Sequence, residues 1–101
     1  MKIDVQAPFS VSQPMQDLIE EKVNKLLVQF ERISLATVFL KDDIQRHHHK
    51  EARKVEIEIE VPGATLFAAE AAETFEKALV GATEKMKRQV GKYKDQIKNH
   101  H

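Results

Sequence analysis

The stretch RKVEIEIEV, residues 53–61, alternates without a break. Val55, Ile57, Ile59 and Val61 fall on one side, and Lys54, Glu56, Glu58 and Glu60 on the other. A period of two marks a strand with one buried and one wet face, and no helix sorts these residues that way. A sheet built on this strand needs a cover on its apolar side only, because its other side carries carboxylates about 7 Å apart. The rest of the chain has to provide the neighbouring strands and a single covering layer.

Two segments have the helical period that such a cover requires. In the first, Ser12 is a candidate N-cap and Pro14 falls in the first turn, where its missing N–H is harmless. Met15, Leu18, Ile19, Val23, Leu26, Leu27 and Phe30 then form one apolar stripe. The second runs from about Glu73 to Asn99, with Phe75, Ala78, Leu79, Ala82, Met86, Val90, Tyr93 and Ile97 within about 120° of the helix wheel. Three further strands are expected. Residues 2–6 place Ile3 and Val5 inward, and residues 34–42 do the same with Ala36, Val38 and Leu40. Pro62-Gly63 is a turn signal that returns the chain as a hairpin through residues 64–71. The polar segment 43–52 reads as a loop.

The resulting order is β-α-β-β-β-α, an α+β fold. It predicts a four-stranded sheet with two helices packed on one face, a layout like that of double-stranded-RNA-binding domains. At 101 residues the chain is read as a single domain, 1–101. The uncovered face is expected to be polar, with Asp4, Gln6, Thr37, Lys41 and the Glu56, Glu58, Glu60 row, and to include Phe39 and Leu66.

Charge is distributed unevenly. The chain holds sixteen basic and sixteen acidic residues, yet Lys85 to Lys98 contains Lys85, Lys87, Arg88, Lys92, Lys94 and Lys98 against Asp95 alone. Lys85, Arg88 and Lys92 are spaced i, i+3, i+7 and stack along one helix edge over about 10 Å. Cations in the last turn favour the helix dipole, but that does not account for Lys85 or Arg88. On charge alone, the ladder fits either an anion-binding surface or a solvated helix face.

The stretch AEAAETFEKALVGATEKMKRQVGKYKDQIKNH, residues 69–100, resembles the C-terminal half of the short ribosome hibernation-promoting factors and ribosome-associated inhibitor A proteins, the sigma-54 modulation protein family. KVNKLLVQFERI, residues 22–33, is similar to the end of that family's first helix, and VFLKD to its second strand. The resemblance implies a translation-silencing factor that binds the small ribosomal subunit and its 16S rRNA. It would lie in the channel used by mRNA and tRNA in idle ribosomes. It also implies that Lys85, Arg88 and Lys92 meet rRNA phosphates, with Lys22 and Lys25 as companions on the first helix and Lys94 completing the set. Folded rRNA is read largely through phosphate and shape, which calls for basic side chains on a rigid element. The alternative is a small charged protein–protein adaptor that binds no RNA.

Other chemistry finds little support. The chain has no cysteine, so disulfides and thiolate metal sites are excluded. His47, His48 and His49 read as a polar loop, because two ligands on one side of an extended segment make a weak metal site. No nucleophile elbow or glycine-rich phosphate loop is present. We therefore expect no enzyme, metal, cofactor or small-molecule substrate. No apolar run approaches the roughly 20 residues that span a bilayer, so no membrane partner is expected and the reading is cytoplasmic.

Overall fold

The alternating stretch forms a strand at the centre of a four-stranded sheet. In a computed structural model, which describes residues 2–42 and 52–98, the elements are β1 (Lys2–Gln6), α1 (Gln13–Gln29), β2 (Leu35–Asp42), β3 (Arg53–Val61), β4 (Ala64–Ala72) and α2 (Phe75–Lys98). This is the expected order. The His47, His48 and His49 segment, His100 and His101 lie outside the described residues.

The sheet order is β1-β2-β3-β4. The β2–β3 pairing is antiparallel and sets Val38 opposite Ile57, Ala36 opposite Ile59 and Leu40 opposite Val55. Every inward residue of one strand therefore meets an inward residue of the other, and a slip of one residue would turn the whole set toward water. β1 runs parallel to β2, with Ile3 beside Ala36 and Val5 beside Val38. A parallel pair needs a crossover, and α1 supplies it. β3 and β4 form the hairpin expected at Pro62-Gly63. Gly63 has φ +78°, which position i+2 of a type II turn demands and which a side chain would oppose.

Both helices cover the inward face. Ser12 caps α1, its hydroxyl accepting from the Met15 N–H at 3.3 Å. Ile19, Val23 and Leu26 are buried against the sheet. α2 buries Ala78, Leu79, Ala82, Met86 and Val90 completely. Cutting Leu79 to Ala would cost about 2–5 kcal/mol. α2 begins at Phe75 instead of Glu73 because Thr74 caps it: Thr74 Oγ1 accepts from the Lys77 N–H at 3.1 Å.

Three details differ from the sequence expectation. Ile97 ends the stripe but is 37% exposed, in the final turn of α2. Thr83 is buried in the same helix, which its hydroxyl permits by donating to the carbonyls of Leu79 (2.8 Å) and Val80 (2.9 Å). Leu66 faces the core, opposite Ile59, and Phe67 is instead the outward aromatic of β4.

The helices run side by side in the same direction. Near their starts, Phe9 packs against Phe75 with ring centroids 5.4 Å apart and the planes tilted by 39°. Near their ends, Phe30 meets Tyr93 edge-on, also at 5.4 Å. The Tyr93 hydroxyl donates to the Pro62 carbonyl and ties α2 to the hairpin turn.

Candidate nucleic-acid interface on the helical face

The outer side of α2 holds the predicted ladder. Lys85, Arg88 and Lys92 line one open groove together with Gln89, Gly91 and Asp95. Arg88 and Lys92 are exposed. Among the described residues they form no ion pair, and neither do Lys22 or Lys25. Lys25 is exposed as well, and Lys22 is half-buried.

Lys85 differs. Its ammonium donates to Glu70 Oε1 at 2.9 Å and to the Ala69 carbonyl at 3.0 Å. One turn further on, Gln89 donates its side-chain amide to the Phe67 carbonyl. Ala69 and Phe67 are alternate residues of β4, an edge strand. Carbonyls on an open edge are a template for another strand, and side chains that occupy them blunt it. Lys85 and Gln89 therefore sit at the junction of the cation ladder and the sheet edge. Glu70 reaches Lys85 because Gly81 leaves room: a Cβ there would lie 2.5 Å from Glu70 Cγ.

Lys94, on the opposite edge of α2, is also engaged. It donates to the Gln29 carbonyl at 2.8 Å, placing a cation at the C-terminal end of α1, where the helix dipole favours one. Gln29 returns the contact, its side-chain amide donating to the Lys87 carbonyl at 3.1 Å. This fixes the flank of α1 that borders α2. Lys25 and Lys22, four and seven residues before Gln29, lie within about 40° of it on the helix wheel. The two helices thus bring Lys22 and Lys25 onto the side of α1 adjoining α2.

The opposite surface of the molecule has a different character. The outward side of β3 carries Glu56, Glu58 and Glu60, and Asp4 and Gln6 of β1 share that face with Thr37, Phe39 and Lys41 of β2. Phe67 of β4 stands there 48% exposed. Glu56 bridges Lys41 at 2.9 Å and Lys54 at 3.3 Å. The hydrogen bond from Lys41 lowers its carboxyl pKa against the opposing effect of burial, with Lys54 assisting. The basic excess therefore lies on α2, whereas α1 sets Asp17, Glu20 and Glu21 beside Lys22 and Lys25, and the bare sheet mixes its acids with Lys2, Lys41 and Lys54.

Sequence reasoning finds the cations but misses Glu70, Gln29 and Gly81, which decide how two of them are held. Only Glu70 left a signal: it interrupts the inward series Leu66, Ala68, Glu70, Ala72 with a charge.

Comparisons with known proteins agree with this architecture. Among curated proteins no significant match is found. A ribosomal subunit interface protein from Coxiella burnetii superposes with TM-score 0.79 at 20% identity, over 94% of this chain and 99% of that one. The N-terminal domain of Thermus thermophilus Protein Y superposes with TM-score 0.71 at 18% identity, over 91% and 94%. At these identities the likeness establishes the fold. The family follows from the sequence model described as Sigma 54 modulation protein / S30EA ribosomal protein, which matches residues 3–98; the chain belongs to that family.

Proposed function

We propose that this protein is a ribosome-associated hibernation factor. It binds the small ribosomal subunit through the outer surface of its two helices and obstructs the mRNA and tRNA channel of idle ribosomes. Arg88 and Lys92 on α2, with Lys22 and Lys25 on α1, meet rRNA phosphates directly. Lys85 and Lys94 contribute from engaged positions: an ammonium has three donors, of which Lys85 uses two and Lys94 one in the free protein. The observation that carries this reading is the placing of unpaired cations on a rigid two-helix face in a member of this family. Such a face neutralises backbone phosphate and needs no catalytic group.

The test is co-sedimentation with purified small subunits. Arg88→Glu should remove at least about nine-tenths of binding at moderate salt while leaving the fold intact, since it reverses a charge facing phosphate. The logarithm of the binding constant should fall against the logarithm of salt with a slope of about −2 to −5 for three to five phosphates. A flat salt profile, together with partners retained after nuclease treatment, would favour the protein–protein adaptor instead.

A further inference from the structure

Glu70 stands where the alternation of β4 calls for an apolar residue, on the core-facing side opposite Val55. The carboxylate leans onto the bare backbone of α2. A Cβ added at Gly81 would come within 2.6 Å of Glu70 Oε2 as well as 2.5 Å of its Cγ. From there its other oxygen holds Lys85 at 2.9 Å. Lys85 is also the first cation of the groove that continues through Arg88 and Lys92. An anion belonging to the fold is thus seated on the first of three cations in line.

We propose that Glu70 is a resident competitor for RNA phosphate. In the free protein it occupies Lys85; when phosphate enters the groove Lys85 exchanges one oxyanion for the other, so Glu70 sets the strength of binding. The inference rests on the helical face being the RNA-binding surface. Carboxylate and phosphate oxygens are both charged acceptors for an ammonium, so the exchange preserves the donor's bonding. It is also inexpensive. The two side chains are 44% and 37% exposed, and pairs in water's reach are held weakly. The freed Glu70 regains hydration, and the Ala69 carbonyl lies at the sheet edge. Asp95, the carboxylate that lines the groove itself, forms no ion pair among the described residues, so Glu70 alone takes this role.

The experiment is a salt series of binding to purified small subunits with the full chain and with Glu70→Gln, Lys85→Gln and the double variant. Glu70→Gln keeps the size and one acceptor oxygen while removing the charge. It should bind about two- to fivefold more tightly than the parent, the span expected for releasing an exposed pair. Its salt slope should match the parent's, because Lys85 neutralises the same phosphate in both bound states. In the Lys85→Gln background the same change should have no effect, because the cation it frees is absent. Glu70→Ala provides a second charge-free variant in case the amide disturbs β4. Unchanged or weaker binding by both Glu70 variants overturns the proposal. So does an equal gain in the Lys85→Gln background, which would signify long-range repulsion of RNA instead of competition for one ammonium. Arg88→Glu separates the two levels. If it binds like the parent, the helical face is not the contact surface. If it loses binding while the Glu70 variants do nothing, only the competitor role fails.

Discussion

Lys92 and Lys94 are two residues apart on the same helix and carry the same charge, yet they belong to different parts of the molecule. Lys92 is exposed, beside Arg88, in a groove open to solvent. Lys94 turns to the other edge of α2 and closes the end of α1 through the Gln29 carbonyl. Two residues advance a helix by about 200°, so one lysine faces solvent and the other a neighbouring element. A run of cations in a sequence reports how much charge is present, and only packing decides how much of it is available. Of the six cations singled out in this chain, Lys22, Lys25, Arg88 and Lys92 are free of ion pairs among the described residues, whereas Lys85 and Lys94 are tied to backbone carbonyls.

Charge reversal at these two positions should pull stability and binding apart. Lys94→Glu would set a carboxylate against the Gln29 carbonyl, two acceptors with no donor between them. It would also place a negative charge where the α1 dipole is already negative. The expected loss is about 1–3 kcal/mol, seen in thermal unfolding as a fall of roughly 4–8 °C for each kcal/mol in a domain of this size. An unfolding midpoint unchanged from the parent would mean that Lys94 does not hold α1.

Lys92→Glu should do the opposite. With no contact to lose, its stability should stay within about 0.5 kcal/mol of the parent. Its affinity for small subunits should fall about tenfold, equivalent to about 1.4 kcal/mol. If Lys92→Glu lowers the midpoint as Lys94→Glu does, the distinction between offered and engaged lysines disappears.

This distinction also marks what could be read from the sequence. The strand alternation, the two stripes, the Ser12 cap and the Pro62-Gly63 turn each express a local periodicity or a local conformational demand. All four reappear in the fold. The engagement of Lys85 and Lys94 depends on residues 15 and 65 positions away in the chain. The wheel of α2 includes neither Glu70 nor Gln29, so by itself it makes the ladder uniform. Thr83 was missed for a related reason: a hydroxyl counts as polar on a wheel, but one that bonds back to its own helix can be buried. The alanines of β4 carry too little contrast to fix the phase of Leu66. The pairing with β3 fixes it instead.

The smallest effect concerns a third pair of lysines, engaged on the opposite face. Lys41 and Lys54 stand directly across the β2–β3 ladder from each other, where like charges repel. Glu56 lies between them and bonds to both. Because the Lys41 bond depresses the Glu56 pKa in the folded state, the unfolded chain binds its proton first as acid is added. The stabilisation is therefore complete above about pH 4.5, the group's ordinary value, and is lost as the pH falls through the lower folded value. Glu56→Gln should cost under about 1 kcal/mol in urea unfolding at neutral pH, since both lysines are half-exposed. The gap to the parent should close as the medium is taken below the carboxylate range. A gap that stays constant with pH would assign the loss to packing and not to charge. Binding to small subunits should be the same for both proteins, because this trio sits on the face turned away from the helices. If Glu56→Gln instead strengthens binding as Glu70→Gln is expected to do, acids anywhere on the molecule act by general repulsion. The contrast between offered and engaged cations would then have no bearing on RNA.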